Sequence, residues 1–437
     1  MYSRFTPHHE RPTSFSTPQA QSLDEQRLEI DGDIKAMVQL PSQNQWLLAI
    51  DSGYEFCVAR LNADLTLDRS FGAPGAGYFY DSFEPACAGL NVVNQIAWLN
   101  GKIVVVGAFF DFDVDRVAIA RYHPDGSPDL SFNGTGKRVV QLPHSPRRPG
   151  GLRNGKLHSA ISTPHTPLLE ADGCLWVFFH EVDEHHREGR SLLLRLTADG
   201  ALDPGFNHQG FAPVQFEGRD VVPRGVVRQG SALLVYGATC ADADGTSLGL
   251  VARFNAGGER DMTFNGNGFV VIGDAGVAAM ISQVHMLGNG EFLAVGTFGS
   301  DLLLSRRSAD GSPASQFNDG VPLLANLPFQ VSAVKALIGN GDGVLLAASI
   351  GAIGSRGMLI QLRGDGSLDT DFGAGAGYLM AEHESEYLAL GIERSGAIVA
   401  AGYLFQSAYY AWLRTFDSTD RGTLTSEPPV SFDSIRL

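Results

Sequence analysis

Three stretches of the 437-residue chain carry residue types that do chemistry. The first is His180-Glu181-Val182-Asp183-Glu184-His185-His186, where imidazole and carboxylate donors gather as a zinc or other transition-metal site needs. It is not H-E-x-x-H, whose two histidines share one face of a helix. Apolar runs on both sides make it the turn of a β-hairpin, for which a solvated polar tip is the ordinary reading. The second is Asp111-Phe112-Asp113-Val114-Asp115, where alternation along an extended segment puts three carboxylates on one side, as a hard cation requires. It lacks the Gly and the distal Glu of a calcium loop, so a charged loop tip is the plainer reading. The third is the insertion Gln141–Lys156, with Arg147, Arg148, Arg153 and Lys156 among prolines and glycines. It is a basic patch in an acidic chain, suited to an acidic group on a partner through Arg147 and Arg148. Long loops in compact folds are often functional, and a partnerless surface loop is the equal alternative.

The candidate binding residues are therefore Arg147, Arg148, Arg153, His180, Glu181, His185, His186, Asp111, Asp113 and Asp115. No catalytic set converges, no cofactor is expected, and whether a metal binds is left open. Gly245-Thr246-Ser247-Leu248-Gly249 matches G-x-S-x-G by letter, but a nucleophile elbow needs a strand–turn–helix and this is a hairpin turn. The Asn-Gly-Asn-Gly and Gly-Ala-Gly strings open no helix and so cradle no phosphate.

The elements that must position these stretches are read from composition and repetition. A hydrophobic fraction of 44% is ample for a large core. A formal charge of −16 argues against nucleic acid and anionic membrane surfaces, which need a dense Lys/Arg footprint. Cys57, Cys87, Cys174 and Cys240 are far apart and form no C-x-x-C pair, so neither a disulfide framework nor a cysteine zinc site is expected. Residues 1–24 have no apolar signal core and no run is long enough for a membrane span. The expectation is cytoplasmic residence, with export by a signal-independent route as the alternative.

One unit is written repeatedly: Asp64–Gly72, Asp125–Asn133, Asp199–Asn207, Gly257–Asn265, Asp310–Asn318 and Asp365–Gly373. Its phenylalanines, Phe71, Phe132, Phe206, Phe264, Phe317 and Phe372, stand 61, 74, 58, 53 and 55 residues apart, by difference of their numbers. A period of this size is a supersecondary unit copied along the chain. Before each motif lie three strands joined by Asn-Gly, Gly-Asn or other polar turns, which supply the positive φ of hairpins. The second strand is nearly all apolar and thus buried on both faces. Gly107, Gly237, Gly296 and Gly402 recur at its end, which predicts a close approach to a neighbouring backbone. A short fourth strand follows each motif, one of them over Phe211–Phe216. Seven three-strand cores but only six fourth strands are present. Arg27–Asp31, just ahead of the first core, is the seventh and completes the blade built by Tyr387–Phe416. The expected fold is all-β, a seven-bladed β-propeller of four-stranded antiparallel blades closed by the N-terminal strand, with six or eight blades as the alternative. Residues 1–24 form a flexible arm, 25–420 the propeller and 421–437 a tail.

The motif R-x-x-x-D-G-S-L-D-x-x-F-G/N-x-x-G resembles the delta-60 repeat of bacteria, over nearly the whole of residues 25–420. The sixth copy fits best, with Gln361 in place of the Arg, and the fifth is worn, with Pro313-Ala314-Ser315 where Leu-Asp is usual. The resemblance implies a β-propeller and brings no catalytic residues. The family is common on surface or exported proteins, which favours the export alternative.

Strand order then sorts the loops. First-to-second and third-to-fourth turns share one uniform face. Second-to-third turns and the connections between units share the other, irregular one, where loops held by a rigid frame carry function. The leading functional reading is a non-enzymatic binding propeller that recognises a protein or glycan through the irregular face. The alternative is a hydrolase or lyase at the mouth of the central channel, and a purely structural repeat protein is a third reading.

Overall fold

The computed structural model describes residues 24–41, 44–111, 115–142, 166–182, 189–241, 245–274, 276–340, 343–351, 355–381, 383–393, 396–405 and 409–416. They form seven antiparallel sheets arranged as the blades of a propeller. The innermost strands, in blade order, are Asp33–Gln39, Leu90–Leu99, Leu168–Leu169, Arg219–Gln229, Ala279–Met286, Ala333–Asn340 and Ser385–Ile392. Neighbouring innermost strands touch at six of the seven junctions, all but that of blades 2 and 3 among the described residues, and so line the central channel. The first fourth strand, Asp24–Asp31, pairs with the last third strand, Tyr409–Phe416, and closes the ring between the chain ends. No helix among the described residues is long and apolar enough to cross a membrane.

The second strands are the buried ones, as the apolar runs demand. Trp46–Asp51, Lys102–Phe110, Ala232–Thr239 and Gly343–Ile350 are buried along almost their whole length. Each sheet packs against its neighbours, so a middle strand meets another blade on both faces. The recurring glycines there have a steric cause. A Cβ at Gly107, Gly237, Gly296 or Gly402 would run into the carbonyl oxygen of Val92, Val222, Met280 or Glu386 on the innermost strand. Those carbonyls press in because six innermost strands carry a bulge at the same level, with the extra residue being Lys35, Asn94, Arg224, Ser282, Lys335 or Leu388.

The repeated motif is a latch between blades. In blade 2, Arg121 donates to Asp129 at 2.8 Å, lies 4.8 Å from the centre of the Phe132 ring, and reaches the Ala198 carbonyl of blade 3 at 3.3 Å. Asp129 also accepts from the backbone N–H of Ser131, which shapes the turn. Blades 1 and 4 repeat this with Arg60, Asp68 and Phe71, and with Arg253, Asp261 and Phe264. The glycine of the next blade's Asp-Gly turn then seats on the ring. A Cβ at Gly200, Gly258, Gly311 or Gly366 would stand 2.8–2.9 Å from the motif phenylalanine of the preceding blade, one at Gly126 would stand 2.9 Å from Phe79 and 3.3 Å from Phe71, and all five have positive φ.

Where the motif is worn, neighbours fill in. Gln361 cannot pair with Asp369, and Arg363 does so at 3.0 Å. Ala314 replaces the carboxylate of the fifth copy, and Arg306 turns to Glu291 at 2.8 Å. Blade 7 has no motif to offer blade 1, and there the turn glycine is replaced by Leu65, buried at φ 62° in the core that joins those two blades.

One expected strand divides. Phe211–Phe216 is two strands: Phe211–Pro213 finishes blade 3, while Gln215–Phe216 folds back on Arg219–Asp220 and gives blade 4 a fifth strand. The turn at Glu217 and Gly218 has φ of 50° and 78°, the pair of positive values that a tight hairpin takes.

The latch predicts a position-dependent cost of alanine. Gly200→Ala adds a clash with Phe132 to the backbone strain, whereas Gly134→Ala, at φ 74° with nothing near its Cβ, adds the strain alone. In urea unfolding, Gly134→Ala should cost about 1 kcal/mol and Gly200→Ala about 1–3 kcal/mol more. Equal losses would mean that the ring–glycine contact carries no load.

Candidate functional site

The structure redistributes the residues chosen from the sequence. His180 is not on a turn; it lies in the second strand of blade 3, Leu175–Val182, opposite Ser191, and is 4% exposed. Its Nδ1 is 2.9 Å from Ser191 Oγ. Ser191 in turn donates to the Val221 carbonyl at 2.7 Å and accepts from the Val221 N–H at 2.9 Å, so the chain of bonds joins blade 3 to blade 4. With the hydroxyl proton on Val221, the imidazole must donate from Nδ1, which leaves Nε2 unprotonated and, among the described residues, without a hydrogen-bond partner. Burial lowers the pKa of His180, with Asp220 opposing. Glu181 follows in the same strand, at the register position opposite Arg190 of the third strand, and is not on the turn. The flanking apolar runs placed both on the turn, whereas the polar run begins inside the strand and its first residue helps to join two blades.

Asp111 forms an ion pair with Arg116, and Asp115, opposite Phe110, is buried. Of this stretch Asp111 is thus half-buried and Asp115 buried. Asp113, Arg147, Arg148, Arg153, His185 and His186 lie outside the described residues. Among the described residues no group of three or more His, Cys, Asp or Glu stands close enough to hold a metal.

What the fold does bring together is a polar and aromatic cluster where blades 6, 7 and 1 meet at the irregular face. Each member comes from a strand end that opens on that face. Glu386, second residue of its innermost strand, stands opposite Tyr403. One carboxylate oxygen of Glu386 accepts from Ser355 Oγ at 3.1 Å, and the other is 3.1 Å from Lys335 Nζ, on the bulge of blade 6. Tyr403 is pushed up to about 12 by burial and then by Glu386, with Asp33 of blade 1 also contributing, so its phenol stays protonated. Asp33 stands opposite Asp51 and pairs with Lys35 at 2.9 Å. The pKa of Asp51 is raised by burial, with Lys35 opposing. Outward from Tyr403 the rings continue: Tyr409 lies 5.2 Å away edge-on, and Phe405 lies 5.0 Å from Tyr409. Tyr409 is 51% exposed and Phe405 36%, values that set them apart from the buried aromatics of the blade cores.

The cluster thus offers a stepped aromatic surface, a phenol donor, three carboxylates and two ammonium groups. That set stacks on apolar ring faces and hydrogen-bonds hydroxyls at once. The sequence reading missed it because its members come from six separate segments. The one available signal was the run Tyr403-Leu404-Phe405, Tyr409-Tyr410, an aromatic density unusual for a hairpin tip.

A family model described as "Domain of unknown function (DUF5122) beta-propeller" matches residues 47–71, 100–132 and 188–206. The three stretches end at Phe71, Phe132 and Phe206, the latch rings of blades 1 to 3. The match supports a β-propeller family. No curated protein matches the chain. Similar solved structures include a protein of unknown function from Dyadobacter fermentans, at 10% identity over 91% of this chain and 98% of that one, with a TM-score of 0.43. An α-L-arabinanase of Penicillium chrysogenum complexed with arabinobiose is 11% identical over 93% and 99%, at 0.41. Drosophila Plexin A in complex with Semaphorin 1b is 9% identical over 92% and 88%, at 0.43. Similarity at this level carries no argument about ligand or activity.

The buried imidazole predicts an acid-sensitive joint between blades 3 and 4. His180 is lowered in the folded state, so between that value and its ordinary 6.5 the unfolded chain holds the proton and the native state does not. Stability is therefore present above pH 6.5 and is lost as pH falls below it, by at most about 1.4 kcal/mol per pH unit from this one group. Urea midpoints between pH 7.5 and 5.5 should fall less steeply in His180→Gln than in the parent. Parallel slopes would show that His180 is not the titrating group.

Proposed function

We propose that this propeller is a binding module whose channel mouth, between blades 6, 7 and 1, takes a glycan. The observation that carries the reading is the exposed aromatic step of Phe405 and Tyr409, which leads down to Tyr403 and the Glu386–Ser355–Lys335 network. Exposed aromatic surface rimmed by polar groups marks a recognition site. A sugar presents C–H faces to the rings and hydroxyls to carboxylate, phenol and ammonium. The network holds its carboxylate by two partners before any ligand arrives, so little ordering is needed on binding.

An oligosaccharide array, followed by calorimetric titration of the strongest hit, tests this. Tyr409→Ala should weaken binding tenfold or more, the usual cost of an aromatic anchor of about 1.5–2 kcal/mol, and Glu386→Gln should weaken it to a similar degree. No saccharide bound, with a protein captured through the same face, would replace the glycan by a protein partner.

A second reading, a hydrolase or lyase at this mouth, is favoured by one observation. Asp51, whose pKa burial raises, stands opposite Asp33, which is ion-paired to Lys35, two carboxylates in unlike surroundings as an acid and a base require. Chromogenic glycosides and uronate polymers are the substrates to offer. The binding reading expects no turnover above background, whereas turnover abolished in Asp51→Asn would establish the enzyme.

A further inference from the structure

The bulge residues of the innermost strands point to a second site, across the channel from the aromatic step and independent of it. Three of the six are cationic, in a chain with a net charge of −16. Lys35 and Lys335 each have a carboxylate within 3.1 Å. Arg224, on blade 4, does not. Among the described residues its Nη1 is shielded from solvent and meets no hydrogen-bond partner. Its backbone is held firmly: the Arg224 carbonyl accepts from Thr166 N–H at 2.8 Å, and Val226 N–H donates to the Thr166 carbonyl at 3.1 Å, a bridge to the inner edge of blade 3. Pro223 and Gly225 on either side are buried, while Arg224 keeps partial exposure. The open space beside an innermost strand, away from its ends, is the channel, so the exposed part of Arg224 faces it. Burial lowers its pKa without taking it out of the charged range that guanidinium keeps at neutral pH.

A guanidinium with one nitrogen withdrawn from water and unpaired is a destabilising arrangement, and native interiors supply a counter-charge for such groups. Arg224 has the fork geometry that takes two oxygens of one anion. We propose that Arg224 is the anchor of an anion site inside the channel, taking the carboxylate, phosphate or sulfate group of a small ligand. Lys35 and Lys335 are already neutralised by Asp33 and Glu386, which leaves the blade 4 side as the place where an anion gains most.

The site predicts a stability pattern opposite to that of a structural arginine. In buffer free of oxyanions at low ionic strength, Arg224→Met should match or exceed the parent in thermal midpoint, because it removes an unpaired charge and keeps the aliphatic stem. Inorganic phosphate, sulfate and galacturonate, each titrated separately at constant ionic strength, should raise the midpoint of the parent, and that rise should vanish in Arg224→Met. The galacturonate arm separates a carboxylate from the two inorganic oxyanions, and galactose serves as its uncharged control. Arg224→Lys should keep the response with an affinity lowered about tenfold, since it retains the charge and loses the fork. A midpoint that falls in Arg224→Met without added anion would overturn the proposal, because the guanidinium would then be serving the fold. Equal anion responses in parent and variant would overturn it too, as general salt effects. Tyr409→Ala should leave the anion response intact, so failure of this site and failure of the aromatic site are told apart.

Discussion

The structure depends on one repeated contact, the phenylalanine ring of one blade seated under the turn glycine of the next. The ring is held from its other side by an arginine, and that arginine is held by an aspartate which also shapes the turn in front of it. A cation over an aromatic face contributes about 0.5–2 kcal/mol depending on its exposure, and the half-buried ion pair adds to its positioning more than to its energy. What makes the contact decisive is repetition around a closed ring. Each blade sits at the angle at which the next turn meets its ring, and an error at one joint would be carried to the closing strand. A second set of bonds works at the irregular face, where Asn91 N–H donates to Gly53, Ala279 to Ser247, Val331 to Ser300 and Ser385 to Ser355, each across a blade boundary. The junctions of blades 1 and 2, 4 and 5, and 5 and 6 are thus tied at both ends, which fixes the innermost strands beside them.

That rigidity is what lets the channel carry uncompensated groups. The bulges need the carbonyls of Val92, Val222, Met280 and Glu386 to press against glycines of the second strands, so the inner wall is set by backbone contact and not by side-chain fit. A wall of this kind tolerates any side chain at the extra position. Lysine, asparagine, arginine, serine and leucine all occur there. The scaffold is thus separated from the functional surface within a single strand: the paired residues hold the blade and the bulged one is free to vary.

The exceptions to the repeat show the same logic. Leu65 accepts a left-handed backbone, at a cost of about 1–2 kcal/mol, because the blade before it offers no ring and the space must be filled. Arg363 and Glu291 supply the partners that Gln361 and Ala314 cannot. In each case the geometry of the joint persists while the residues that make it change, which is why worn copies of the motif still belong to complete blades.

Turn chemistry and period are local properties, and they were legible in the amino-acid order. Asp-Gly and Asn-Gly turns, apolar second strands and the recurring phenylalanine specified blades of four strands, and the surplus strand at Arg27–Asp31 specified how the ring closes. The close approach at Gly107, Gly237, Gly296 and Gly402 was legible for the same reason, since only a missing side chain explains glycine in a buried strand. The sequence by itself thus determined the fold and its uniform face. Tertiary structure alone decided which polar residues meet. Asp33 and Tyr403 stand hundreds of positions apart and become neighbours because the ring closes between blades 7 and 1. His180 left its polar run to bridge two blades, and Arg224 stands on a bulge with one guanidinium nitrogen shielded and, among the described residues, unpaired. Such placements follow from how sheets stack around an axis, a constraint that acts between units and leaves no period in the chain.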